Sequence, residues 1–356
     1  MSQSSATMPI DVVAHRFRQF AEREAQALLS PLYSRLCRGI ATDAEVLALA
    51  ATAQPGQPVP NLLLGTVHYL LLRGVQHPLA AFYPSLTHTP DQMHDPYPAF
   101  RRFCLEESEA ICELVATRRV QTNEIGRCAC LLPAFELIAQ EEQRAPLSLI
   151  EVGASAGLNL LWDRYGYRYE NGQTCGRADS PVQITCAVSG KNALPLPTIL
   201  PAVATRVGLD IHPIDLSDPD AVLWLRALIW PEHLERAERL QKAREIAQLE
   251  PPPVLAGDAL TLLPEVVAQA PAQSVLCIFH SFTLNQFSAE QRERFSALLA
   301  QMSSRRTIYR ISCEARTRDQ VPRLDLIRYT NGAVTNNRLA RCAPHGSWIE
   351  WLAETS

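Results

Sequence analysis

The sequence predicts a mixed α/β protein. An all-α N-terminal region over residues 1–145 is followed by a mostly parallel, doubly wound sheet over 146–356 that finishes in an antiparallel hairpin. Three observations predict it. Residues 9–145 carry apolar side chains at helical spacing, with strand signals nearly absent. From Leu147 onward short β-rich runs alternate with helical stretches, the pattern of parallel strands joined by crossover helices. Thr330-Asn331-Gly332 then joins two more β-like runs with the Asn-Gly signal of a tight hairpin.

In chain order, residues 12–29 place Val12, Val13, Phe17, Phe20, Ala27 and Leu28 near a 3.6-residue period. Asp43 suits the cap of a helix over 44–51, which Pro55-Gly56-Gln57-Pro58 ends. Asn61 is expected to cap an apolar helix running to Arg73 and closed by Gly74. Residues 78–98, with Pro84, Pro90 and Asp95-Pro96, read as a long loop; helical spacing resumes over 100–118 and 124–142. The expected strands are 147–152, 206–211, 254–256, 274–279 and 307–312. Helices are expected over 158–165, 219–230, 232–249, 259–268 and 289–302. Residues 324–329 and 337–342 form the hairpin. Residues 166–200 fall outside this alternation and read as an inserted meander.

Bulk properties bound the function. The chain has 356 residues, 47% hydrophobic, and a net charge of -4, so no global basic field recruits nucleic acid. The longest apolar run, 62–72, is interrupted by Gly65, Thr66 and His68 and is too short to span a bilayer. Residues 1–7 have neither a basic nor an apolar leader segment, which predicts a cytoplasmic protein. Ten cysteines lack any CxxC spacing, and Cys128 and Cys130 would sit on different helix faces, so free thiols are expected. The loop 88–95 holds His88, Asp91, His94 and Asp95, but its spacing matches no metal motif, and no metal is expected. Residues 305–341 hold nine arginines against Glu314, Asp319 and Asp325. That excess reads as a solvated sheet edge or as the rim of a site for an anionic substrate.

The stretch Leu147-Ser148-Leu149-Ile150-Glu151-Val152-Gly153-Ala154-Ser155-Ala156-Gly157 runs from an apolar strand through an acid into a small-residue turn. Open α/β sheets hold nucleotide-like ligands at such turns. Gly153 lets the chain reverse, and Gly157 lets the following segment pack closely. Glu151 suits a ligand with a cationic group and repels a dinucleotide pyrophosphate. This Glu-x-Gly-x-Ser-x-Gly pattern resembles motif I of S-adenosylmethionine-dependent methyltransferases, with Ser155 in place of the middle glycine. The resemblance implies a Rossmann-like, methyltransferase-type core with S-adenosylmethionine as cofactor, held by Glu151, Gly153, Ser155 and Gly157. It implies a ribose-binding acid at a second strand end, for which Asp210 is the candidate and Glu170 the fallback. In Gly257-Asp258-Ala259 it implies an adenine contact, Asp258 taking the exocyclic amine beside Ala259; the plainer alternative for Asp258 is a helix cap. Asp215, Asp218 and Asp220 read as turn and cap acids.

After the fourth strand, His280 suits proton removal from a methyl acceptor and Asn285 its orientation; a hydrogen-bonded core histidine is the structural alternative. Glu124 and Arg127 share a helical face near the expected cofactor mouth unless Thr122 or Asn123 simply caps the helix. Residues 345–351 are expected to pack against the sheet edge.

Seven runs together are similar to an uncharacterised bacterial domain-of-unknown-function family, number 2332. They are 61–74 (NLLLGTVHYLLLRG), 121–132 (QTNEIGRCACLL), 151–165 (EVGASAGLNLLWDRY), 206–219, 224–231 (WLRALIWP), 257–263 and 345–352. That resemblance implies a methyltransferase-like core behind a helical region and fixes no reaction.

Three functions follow. In the first, a methyltransferase acts on a small acceptor beneath a helical lid, chiefly by positioning, and the arginine excess favours an acidic or phosphorylated acceptor. In the second, a serine hydrolase uses Ser155 in Gly-x-Ser-x-Gly with Asp258 and His280 or His345, although only helices precede the required elbow. The third is a Rossmann module that binds a ligand without turnover. Oligomeric state is left open.

Overall fold

Short polar residues start helices where the sequence places them, and the apolar faces behind them set the packing. The computed structural model describes residues 8–27, 29–315 and 321–354. Residues 1–7, Leu28, Arg316, Arg318 and Asp319, all used above, lie outside the described residues. The chain divides into two compact units, residues 1–122 with 218–238, and residues 123–217 with 239–356.

In the first unit the expected helix over 12–29 is interrupted. Helix α1 (Ile10–Gln19) passes through a π turn (Phe20–Glu24) into the single turn α2 (Ala25–Ala27), and Phe17, Phe20 and Ala21 are all buried. Ser30 caps α3 (Pro31–Ile40) by accepting from the Tyr33 amide. Asp43 caps α4 (Ala44–Ala50) as expected, accepting from Glu45 and Val46. Helix α5 (Val59–Leu72) starts two residues before Asn61, because Pro58, Val59 and Pro60 form its first turn, so Asn61 is not the cap. The loop over 78–98 holds a 3-10 helix at Pro78–Phe82. The run 100–118 breaks into α6 (Tyr97–Glu106) and α7 (Ser108–Thr117).

α8 (Cys128–Glu141) falls in the second unit, whereas α9 (Pro219–Ala227) falls in the first. Trp224, Ala227, Leu228 and Trp230 join the core of α1, α3, α4 and α5. The Trp224 indole donates to the Arg119 carbonyl at 2.8 Å, Asp220 bonds Tyr69 and Arg118, and His68 Nδ1 lies 2.9 Å from the Ala227 carbonyl.

The second unit is built on an eleven-stranded sheet. Its strands are β1 (Leu147–Val152), β2 (Gly166–Tyr169), β3 (Thr174–Gly176), β4 (Gln183–Ser189), β5 (Val203–Asp210), β6 (Val254–Ala256), β7 (Val275–Ser281), β8 (Ile308–Glu314), β9 (Arg323–Thr330), β10 (Ala333–Cys342) and β11 (Trp348–Trp351). Spatial order is β3-β2-β4-β11-β10-β9-β8-β7-β1-β5-β6. The run β6-β5-β1-β7-β8 is parallel throughout and reads 3-2-1-4-5 in chain order, so the switch point falls between β1 and β7. Crossovers are supplied by α10 (Leu234–Leu249), α11 (Ala259–Gln269) and α12 (Ala289–Met302). α11 and α12 share one core with Ile150, Val152, Leu276, Ile278 and Ile308; on the opposite face Phe135 of α8 stacks on Trp162 and meets Phe279 edge-on.

The expected hairpin is β9–β10, with Thr330 opposite Ala333 across Asn331-Gly332. Three further sequence expectations need correction. The segment after the turn is a 3-10 helix (Leu158–Arg164), not an α-helix. The insertion is not a meander: β3 returns antiparallel on the outside of β2, and β4 crosses back to run parallel on its other side. Three buried tyrosines anchor it, donating to the carbonyls of Leu158 (Tyr165), Trp162 (Tyr167) and Ala129 (Tyr169). Residues 345–351 do not lie against a sheet edge; β11 is inside the sheet, antiparallel to β10 and parallel to β4. No helix among the described residues is long and apolar enough to cross a membrane. All ten cysteines are free, and eight are buried as small apolar packers.

Candidate functional site

β1 is buried along its whole length, and its side chains alternate between the two faces of the sheet. Ile150 and Val152 enter the α11–α12 core. Glu151 therefore points to the α8 face, where its Oε1 accepts from Asn159 Nδ2 at 3.2 Å. Its Oε2 is buried with no hydrogen-bond partner. Burial lifts the Glu151 carboxyl to about 8, with the Asp210 charge pushing the same way and the Asn159 bond and Arg127 opposing, so the group is protonated at neutral pH.

The turn that follows is wound tightly, with positive φ at Gly153 (76°), Ser155 (55°) and Gly157 (74°). A Cβ on Gly153 would run into the Thr283 side chain, and one on Gly157 would come within 2.9 Å of Pro252 and Val254. The backbone is held from both sides. The Leu209 carbonyl accepts from Gly153 and Ala154, and the Ser155 carbonyl accepts from Ile214 at 3.1 Å. Asn123 Oδ1 accepts from Leu158 at 2.9 Å while its Nδ2 reaches the Ala154 carbonyl at 3.4 Å. Ser155 is 4% exposed, and its Oγ is buried without a partner.

Asp210 ends β5, beside β1, on the same face as Glu151, since Gly208 is the register partner of Glu151. Its Oδ2 accepts from the Ser155 amide and its Oδ1 from the His212 amide, both at 2.8 Å. Glu170 follows β2, with six strands between β2 and β1, so the fallback ribose acid is excluded by position. Asp258 is exposed and caps α11, accepting from Leu260 at 2.9 Å, while Ala259 is buried in the α11–α12 core. Asp218 caps α9 and Asp215 accepts from Ser217, as expected of turn acids.

His280 requires a correction. Its neighbour Phe279 is in register with Glu151, so His280 projects from the opposite face of the sheet. It is fully buried, packs edge-on against Phe295, and has both nitrogens committed: Nδ1 to Glu314 Oε1 at 2.7 Å and Nε2 accepting from Arg310 Nε at 3.0 Å. Burial holds the imidazole below its usual range, with the Glu314 bond pulling the other way. Glu314 Oε1 also takes the amides of Thr283 and Leu284. Despite the desolvation that pushes it up, the His280 bond and these amides keep that carboxyl below its ordinary value. His280 thus bridges a carboxylate and a guanidinium and is withdrawn as a base. Asn285 is exposed in a short 3-10 turn (Leu284–Gln286) after β7. We expect His280→Ala to lower unfolding free energy by about 3 kcal/mol through the stranded Glu314 and Arg310, measured by urea unfolding, while the folded fraction keeps its ligand response.

The hydrolase triad is not assembled: Ser155 Oγ has no partner, His280 is held by Glu314 and Arg310, and His345 Nδ1 faces Glu124 at 3.6 Å. Glu124 and Arg127 are held inside the second unit. Both are buried, Glu124 facing Arg239 and His345, and Arg127 donating to the Pro344 carbonyl and lying 4.2 Å over the Phe282 ring. Among the described arginines of 305–341, Arg306, Arg310, Arg328, Arg338 and Arg341 each engage a different partner within the chain. Two residues were missed as site residues. Asn159 is the single polar side chain in the apolar run 158–162, which is its sequence signal; Asn123 carries only the signal of a helix cap.

A family model described as "Uncharacterized protein conserved in bacteria (DUF2332)" matches residues 14–351, and the chain belongs to that family. No curated protein and no solved structure matches it.

Proposed function

We propose that the chain binds S-adenosylmethionine at the turn 153–157 and transfers its methyl group to a small-molecule acceptor. The observation that carries this reading is a pair of buried, unpartnered polar atoms, Glu151 Oε2 and Ser155 Oγ, at the switch point of a parallel sheet. Leaving such atoms unpaired costs about 1–3 kcal/mol each, and a ligand offering a cation and hydrogen-bonding groups would satisfy both.

The other residues fit the same ligand. Asp210 takes two amide bonds, and a carboxylate retains lone pairs for ribose hydroxyls. Beside it, past the end of β5, Ile211 is 64% exposed and offers an apolar side chain to a base. Asp258 uses one oxygen as a cap and has a second to offer an exocyclic amine. The bound cofactor supplies an activated methyl group. The chain's contribution is to bind and orient, because no base is assigned on the Glu151 face; acceleration then rests on positioning.

Thermal melts with S-adenosylmethionine and S-adenosylhomocysteine, with NAD and a fluorophosphonate as counter-tests, decide the matter. Stabilisation should grow with ligand concentration over the dissociation constant. No shift with either adenosyl ligand near millimolar concentration removes the reading; labelling of Ser155 by the fluorophosphonate favours a hydrolase. Binding without turnover on any acceptor leaves the non-catalytic module.

Glu151 adds a pH signature. A cation bound beside it releases its proton, so affinity should rise by up to about tenfold per pH unit between roughly pH 6 and 7.5. Calorimetry in buffers of different ionisation enthalpy should count close to one proton released per ligand. A pH-independent affinity would separate the ligand from Glu151.

A further inference from the structure

The hairpin β9–β10 extends past the layered core. All six residues from Ala333 to Arg338 are exposed, whereas Tyr329 and Ile327, opposite Val334 and Asn336, are buried. On its other edge β10 pairs with β11 only over Ala340–Cys342. A register irregularity between Arg338 and Ala340 separates the two halves, and the Leu339 carbonyl there accepts from Leu352 and Ala353. Residues 333–338 therefore present an open strand edge among the described residues.

The turn sets the phase of that edge. In a two-residue hairpin the closing pair, Thr330 and Ala333, faces inward, and direction alternates from there. Ala333, Thr335 and Asn337 spend their backbone groups on β9. Val334, Asn336 and Arg338 turn theirs outward. The segment holds no proline or lysine of the kind that blunts open edges. Its charge is already neutralised, because Arg338 Nε lies 2.8 Å from Asp325 Oδ1.

We infer that β10 pairs antiparallel with β10 of a second copy of this chain, about a two-fold axis through Asn336. With this centre Val334 meets Arg338 of the other copy and Asn336 meets Asn336. All three outward residues of each strand then pair, more than a centre shifted by one residue allows. Asn336 side chains can bond each other across the axis, Thr335 lies opposite Asn337, and no like charges face one another. The paired area is small for an interface, so the dimer should dissociate in the micromolar range.

Sedimentation equilibrium of the full chain from about 1 to about 200 μM tests this. The expected result is a mass rising from monomer toward dimer. Asn336→Pro removes an outward amide without touching the β9 ladder and should weaken the dimer at least about tenfold. Asn336→Lys brings two cations together on the axis and should weaken it in low salt, with recovery in high salt. Circular dichroism spectra and melting midpoints of both variants should match the parent, since the position is solvent-facing. A chain that stays monomeric throughout overturns the inference, as does a dimer that both variants leave unchanged.

Discussion

Glu151→Gln should raise the melting temperature of the free protein at pH 8 to 9 by several degrees and abolish its stabilisation by S-adenosylhomocysteine. The two effects share one cause. In the unfolded chain the carboxyl ionises near its ordinary 4.5; in the folded chain burial holds the proton until about 8. Folding above the lower value must therefore re-protonate the group. The sign is that of a raised acid: the penalty is absent below the unfolded pKa, grows as pH rises through the window, and is constant above the folded pKa. Its ceiling is on the order of 5 kcal/mol. Glutamine never titrates, so parent and variant should melt alike near pH 4 and diverge steadily to pH 8. The variant also has no carboxylate to meet a cation, so the ligand response disappears. Melting curves at half-unit pH intervals, with and without ligand, read both effects. Parallel pH profiles for the two proteins would show that Glu151 is not held neutral; a preserved ligand shift would show that it does not face the ligand.

Gly153→Ala should lower unfolding free energy by about 2–5 kcal/mol, combining a left-handed backbone with a steric conflict. The φ of 76° alone costs a side chain about 1–2 kcal/mol. The remainder comes from Thr283, whose Cβ would lie 2.9 Å from the new methyl group. A cycle separates the parts: Gly153→Ala in a Thr283→Gly background should recover the steric share and retain the backbone share. Gly332→Ala is the control, with φ of 79° and nothing within 4 Å of the added carbon, and should show only the backbone cost. Urea midpoints at pH 7 suffice, and equal losses at the two glycines would mean that Thr283 moves aside freely.

The parallel half of the sheet was legible because β5, β6 and β7 each end near a turn or cap residue and are followed by a helix-period stretch. The hairpin was legible from Asn331-Gly332. Apolar spacing shows that a face is buried without showing what buries it, so 219–230 could not be assigned to the core of α5. The four residues of β11 are too few to carry a strand signal, and their partners in β4 are far away in sequence. At the site, glycine and acid spacing located the turn. The role of His280 depended on register: only the pairing of Glu151 with Phe279 shows that the next side chain leaves by the other face. Asp258 satisfies a cap and a ligand contact with the same residue type, so spacing alone could not separate the two.

The stitching of β4 to β10 by β11 has a kinetic consequence. Asn192 and Leu352, which bond beside this seam, are 160 residues apart. Until the two tryptophans of β11 settle between their neighbours, the tyrosine-anchored wing has an open flank on β4 and cannot join the main sheet. Loop closure over such a span is slow, so assembly of this half should finish at that seam, and crowding of half-made chains would be most harmful just before it closes.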